Sequence, residues 1–190
     1  IREFATERLE AAGELDSLRQ RHTDSFTALV DAAEPHLHLD ESEWVERLEG
    51  DHDNLRAVLD RLADSGSATG LLDLAGKLYR FWYLQSHLKE GQRYLEAALQ
   101  ADETPTGARA RALDGAAVMA LNLGDRTLAR GLAGEALLIF QRLGDPWGEA
   151  YSDMMIGNAI GEDPTTLAEA VPYFEKSTGP SMPSATSISD

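Results

Sequence analysis

Leucine and alanine dominate this chain, with 27 of each against 5 valines and 5 isoleucines in 190 residues. Small and straight-chain side chains lose little freedom in a helix, whereas strands favour β-branched ones. The balance points to an all-α fold. Apolar residues also recur at helical spacing. Phe26, Leu29, Val30 and Ala33 form one stripe, Leu55, Val58, Leu59 and Leu62 a second, and Leu95, Ala98 and Leu99 a third. Gly13, Gly66, Gly124, Gly144 and Gly161 stand where helices should stop, and Asp51, Asp53, Ser65 and Thr106 are candidate N-caps. This punctuation predicts helices over 2–12, 14–34, 41–49, 52–64, 68–84, 87–101, 107–123, 126–143, 147–160 and 165–177. The Ser-, Thr- and Pro-rich stretch 178–190 is expected to be a flexible tail.

Charge narrows the function classes. Seventeen Lys and Arg against 33 Asp and Glu give a net charge of −16. Gripping nucleic acid by its phosphates, or an anionic membrane surface, needs a basic face. Neither partner is expected. The absence of cysteine excludes disulfide scaffolds and thiolate metal sites. No apolar run approaches the roughly 20 residues of a membrane span. Ile1-Arg2-Glu3-Phe4 does not read as a signal peptide, so a cytoplasmic location is expected.

Three stretches share a pattern: Glu90 to Leu99, Leu128 to Leu137, and Glu169 to Ser177. Each begins near a small residue (Gly91, Ala129, Ala170) and carries another seven positions on (Ala98, Ala136, Ser177). Small residues at that spacing let two helices of a hairpin approach closely. The anchors lie 129 − 91 = 38 and 170 − 129 = 41 residues apart. These stretches resemble the second helix of tetratricopeptide (TPR) repeats. Gly124-Asp125 matches the turn that often joins TPR helices, and Ile156-Gly157 the Leu-Gly pair of the first helix. The period is longer than the ~34 residues typical of TPRs. Ala116-Ala117 and Leu78-Tyr79 replace the Leu-Gly pair elsewhere, and Pro172 lies inside the last helix.

A second resemblance is narrower. Ile1 to Leu9 is similar to the end of the winged-helix part that follows the NB-ARC nucleotide-binding module of STAND signal-transduction ATPases. Arg19-Gln20-Arg21-His22 with Phe26-Thr27-Ala28-Leu29 resembles the long helix after it. Trp44 to Leu59 resembles the linker before the TPR array of actinobacterial STAND transcriptional regulators, and Leu78 to Leu99 continues that pattern. The resemblances imply a TPR-like right-handed α-solenoid of antiparallel helix hairpins with an N-terminal helical linker. The linker would take 1–40, the array 41–177 and the tail 178–190. The N-terminal helices would cap one end. The other end looks truncated after Ser177, leaving a face with Tyr173 and Phe174 for a continuing array or a homodimer to cover.

Chemistry-bearing motifs are few. There is no Gly-x-x-x-x-Gly-Lys-Ser/Thr loop, since Gly76-Lys77 is followed by Leu78, and no Gly-x-Ser-x-Gly elbow. Neither an enzyme nor a bound cofactor is expected. His36 and His38, with Asp40, Glu41, Glu43 and His52, offer metal-ligand chemistry, but a polar linker and helix cap are the favoured reading. No metal is expected there. The aromatic run Tyr79, Phe81, Trp82 and Tyr83 covers all sides of one helix, the pattern of a helix buried between neighbours. Tyr79 and Trp82 fall in slots that pack within the hairpin.

By alignment to TPRs, Arg80, Tyr83 and Leu84 would line the concave groove in the first unit. Arg111, Asp114, Val118 and Asn122 would do so in the second, and Tyr151, Met154 and Asn158 in the third. A surface of Arg, Asn, Tyr and Met suits a protein or peptide partner or a small effector better than phosphate. The STAND resemblance implies a sensor arm whose ligand releases autoinhibition of an upstream ATPase. Arg19, Arg21 and His22 make a small basic spot, by default a solvated helix face, whose position alone suggests an intramolecular contact to that module. A stand-alone TPR adaptor and a metal-dependent enzyme are the alternative readings.

Overall fold

The computed structural model describes residues 14–39, 42–161 and 166–178. Within them every regular element is a helix: α1 Leu15–Leu37, α2 Ser42–Gly50, α3 His52–Asp64, α4 Ala68–Leu84, α5 Leu88–Ala101, α6 Gly107–Asn122, α7 Arg126–Leu143, α8 Pro146–Ile160 and α9 Leu167–Ser177. The predicted helix 2–12 and the tail beyond Thr178 lie outside the described residues.

Helices α4 and α5, α6 and α7, and α8 and α9 pack as three successive hairpins. Their first helices begin at Ala68, Gly107 and Pro146, a period of 39 residues (107 − 68 and 146 − 107). Helix α4 also packs on α6, and α6 on α8, so the hairpins stack side by side. Each hairpin has an apolar face that only a neighbour can cover, which makes stacking the way such a chain reaches a dry core. One continuous cluster of buried residues accordingly runs from Val30 in α1 to Ala170 in α9. A smaller one (Ala110, Leu113, Ala136, Ile139, Phe140) fills the space between α6 and α7.

The small anchors behave as the spacing predicts. Gly91, Ala98, Ala129, Ala136 and Ala170 are buried, and Ser177 is half-buried. At Gly91 a Cβ would meet the Trp82 side chain at 3.0 Å and the Met119 sulfur at 2.9 Å, so the close approach requires glycine.

Several boundaries differ from expectation. Helix α1 was expected to end before Pro35 but continues to Leu37. Proline removes one backbone donor, yet Val30, Ala33 and Leu37 are all fully buried on one stripe, and that burial holds the last turn. Thr106 caps α6 by accepting from the Arg109 amide at 3.2 Å. The other expected caps do not act as caps. Asp51 sits at the right position but its carboxylate takes the Asn54 amide at 3.0 Å, Asp53 lies inside α3, and Ser65 ends that helix. Asp125 and Asp145 cap α7 and α8 instead. Gly66, Gly124 and Gly144 do take left-handed φ values of +70°, +91° and +67°, but Gly161 (φ −84°) ends α8 without one.

Helix α4 distributes its rings among three neighbours. Trp82 stacks on Tyr94 of α5 with centroids 5.8 Å apart, as the hairpin slot predicts. Phe81 meets His52 of α3 edge-on at 5.3 Å. Tyr79 is the exception to the expected packing. It leaves the α4–α5 hairpin and lies against Gly115 of α6, near Tyr151 of α8. At the far end, Phe174 turns inward onto Gly157 rather than outward. The apolar residues that α9 exposes are Leu167 and Val171. No described helix is long and apolar enough to cross a membrane.

Candidate functional site

The first helices of the hairpins, α4, α6 and α8, stand next to one another and form an inner face, on which α1 packs against α4. Helix α1 is fastened to that face by polar contacts along its second half. Lys77 of α4 bonds Asp31 at 2.7 Å and Asp73 at 2.6 Å. Arg111 of α6 pairs with Glu34 at 3.4 Å and Asp73 at 3.6 Å. Arg80 Nε donates to the Leu37 carbonyl at 3.3 Å.

Just past the end of α1, His38 reaches two more helices. Its ring lies 6.1 Å from Tyr79 of α4 and 5.7 Å, edge-on, from Trp147 of α8. Trp147 stacks on Tyr151 at 5.5 Å, and Tyr151 faces Tyr79 at 6.4 Å. The four rings form a half-buried cluster that joins α1, α4 and α8.

Asp114 lies beneath this cluster. It is buried (3% exposed), and its two carboxylate oxygens each accept from the Ser152 hydroxyl at 3.0 Å. Burial pushes its carboxyl well above the ordinary 3.8, and the Ser152 bond only partly offsets that. Burial likewise pushes Tyr151 up to about 12, with a hydrogen bond from Tyr79 opposing the rise and the Asp114 charge adding to it. Tyr79 is pushed well above its ordinary value by burial and by its bond to Tyr151.

The residues expected to line a groove therefore separate into groups. Arg80, Tyr83, Asp114 and Tyr151 share one neighbourhood, in which Arg80, Tyr83 and Asp114 all act on the Tyr151 hydroxyl. Within it, Tyr83 is the exposed member, its ring 5.6 Å from the Arg80 guanidinium. Asp114 does not face solvent, because α8 covers it with Ser152. Arg111 belongs to the Glu34–Asp73 cluster. Val118 is buried, and Met154 packs against the core. Asn122 and Asn158 lie apart. Asn122 donates to its own helix at the Val118 carbonyl (2.8 Å), and the Asn158 carbonyl accepts from Arg126 at 3.2 Å. Trp147 and His38 were missed as members. Trp147 precedes the expected groove slots of α8, and His38 had been read with a different chemistry.

That chemistry is redistributed as well. His36 stacks on Trp44 at 4.9 Å, and His38 joins the aromatic cluster. His52 instead bonds Glu90 at 2.6 Å and lies 4.4 Å from the His87 ring. The three histidines His36, His38 and His52 do not converge, and Asp40 and Glu41 lie outside the described residues. In the basic spot, Arg19 and Arg21 are exposed, while the His22 ring lies 4.7 Å from Phe26.

No family model matches the chain. Over 187 residues it is 29% identical to proteins named as HTH-type transcriptional regulators from Mycobacterium bovis and from two strains of Mycobacterium tuberculosis. The match takes in 94% of this chain but 21% of each relative, so the chain spans about a fifth of the length of these transcriptional regulators.

Proposed function

We propose that this chain is the partner- or effector-binding helical-repeat segment of a larger transcriptional regulator of the STAND type, with TPR-like hairpins as its sensor arm. The observation that carries the reading is the alignment of nearly the whole chain with one fifth of proteins named as HTH-type transcriptional regulators. On this reading the DNA-reading helix-turn-helix and the ATPase belong to the other four fifths, and the protein works in the cytoplasm. The charge of −16 supports that division, because a chain so acidic repels phosphate.

The inner face supports the binding role. Arg80, Tyr83, Trp147 and Tyr151 offer stacking surface and a few directed polar groups, which suits a peptide or a small polar ligand. Helix α1 is fastened to the same face by Lys77, Arg80 and Arg111. A ligand there shifts the regulator only through a difference in affinity between its two states. Moving α1 supplies such a difference, and Arg19 and Arg21 on α1 face outward toward an ATPase module.

The test is titration of a labelled DNA duplex with this chain at physiological salt. Non-specific binders show a Kd of about 10⁻⁴ to 10⁻⁶ M, and none in that range is expected here. A Kd within it places DNA recognition in this segment and overturns the division of labour. In the full-length protein, reversing the charges of Arg19 and Arg21 is expected to change the ATPase rate, and an unchanged rate removes that contact.

A further inference from the structure

The geometry points to a binding site for one divalent transition-metal ion of the zinc class, formed by Glu49, His52 and His87. The three residues come from two neighbouring turns. Glu49 lies in the last turn of α2, His52 opens α3, and His87 is the residue just before α5. Their ligand atoms all lie within 4.8 Å of one another. Glu49 Oε2 is 3.0 Å from His87 Nε2 and 3.9 Å from His52 Nδ1. A tetrahedral zinc ion with bonds of about 2.0–2.1 Å holds its ligands about 3.4 Å apart, between those two values. Small rotations of the exposed Glu49 and the half-buried His87 complete the geometry.

The surroundings match a metal site in a second respect. Imidazole ligands of metals usually donate their other N–H to a carboxylate, which fixes the tautomer and the ring. His52 does this. Its Nε2 faces Glu90 Oε1 at 2.6 Å, and Arg56 Nε holds the other Glu90 oxygen at 2.9 Å. With the proton on Nε2, the Nδ1 lone pair is available to a metal ion, and Glu49 Oε2 stands 3.9 Å from it. The rings are also fixed by packing. Phe81 lies edge-on to His52 at 5.3 Å and 5.8 Å from His87. Ser86, with φ +60°, is the described non-glycine residue in the left-handed region, and its conformation sets the path of the chain into His87.

A simple helix-to-helix hydrogen bond accounts for His52 and Glu90. It does not account for a second carboxylate, Glu49, that comes 3.9 Å from the opposite nitrogen of His52 and 3.0 Å from a second histidine, His87. Two imidazoles and one carboxylate favour zinc, nickel or cobalt over magnesium or calcium, which take oxygen ligands. Three protein ligands leave a fourth position open on the solvent side, where Glu49 is exposed. The site replaces the grouping of His36, His38 and His52 and does not depend on the regulatory reading.

The experiment is calorimetric titration of the intact, untagged chain with ZnCl₂ in excess Mg²⁺, with the same titration of His87→Gln and Glu90→Gln. One equivalent of Zn²⁺ is expected, unaffected by Mg²⁺. His87→Gln should abolish that binding, and Glu90→Gln should weaken it about 10- to 100-fold. Co²⁺ should bring up the visible absorption of a tetrahedral ion, and Zn²⁺ should shift the ring signals of His52 and His87 but not those of His22, His36 or His38. The ring signals need no variant, so they decide the matter even where a substitution unfolds the chain. Shifts spread over all five histidines, loss of Zn²⁺ binding to Mg²⁺, or full binding by folded His87→Gln each overturns the site.

Discussion

Asp114 concentrates the main residue-scale consequence. A folded chain that holds a proton on this carboxyl, where the unfolded chain releases it, loses stability as pH rises from the ordinary 3.8 toward the folded value. Asp114→Asn removes that loss while keeping a partner for Ser152. The variant is expected to be more stable than the parent at pH 7, with the gap closing as pH falls toward 4, read by urea denaturation across pH. Next to it, a Cβ on Gly115 would lie 2.6 Å from Tyr79 Cβ, an atom that cannot swing away. Gly115→Ala gains up to about 1 kcal/mol of helix propensity but overpacks the core at a cost of about 1–3 kcal/mol. A lowered urea midpoint with an unchanged m-value is the expected outcome. Residue type and spacing, aligned to TPRs, put Arg80, Tyr83 and Tyr151 among the expected groove residues. They did not reveal that Asp114 is covered, because which face of α6 meets α8 depends on the angle of stacking rather than on either helix alone.

The elements were the most legible scale. Helices α3, α4 and α7 occupy the predicted ranges, since their apolar stripes are long and their flanks carry Ser, Asp or Gly. Errors occurred where one local rule met another. Pro35 reads as a stop, yet buried Leu37 carries α1 past it. Ser65 reads as a cap, yet it follows α3 and donates to the Leu62 carbonyl instead. Asp145 was missed although it stands before Pro146, a favourable first helical residue. Its carboxylate takes the amides of both Trp147 and Gly148 at 3.1 Å. Asp145→Ala should therefore cost about 1 kcal/mol, seen as a lower Tm. Asp53→Ala, at a position that caps nothing, should leave Tm nearly unchanged.

Across the whole molecule, one buried cluster runs from α1 to α9, and among the described residues only the smaller cluster between α6 and α7 belongs to a single hairpin, so the hairpins share most of their core. Helical circular dichroism and tryptophan emission are expected to report one coincident unfolding transition. Two separated transitions would show that α1–α3 and the hairpins melt independently. Of the three tryptophans, Trp82 is fully buried and Trp44 is stacked on His36 in the last turn of α1. Trp147, on α8, faces His38 just past the end of α1 and stacks on Tyr151 one turn along its own helix. The molecule thus carries a built-in optical gauge. Any occupant of the inner face that lifts the end of α1 changes the surroundings of Trp147 and of Trp44, which lies on His36, and leaves buried Trp82 as a constant background, so ligands can be screened by emission without a label and without knowing in advance what they are.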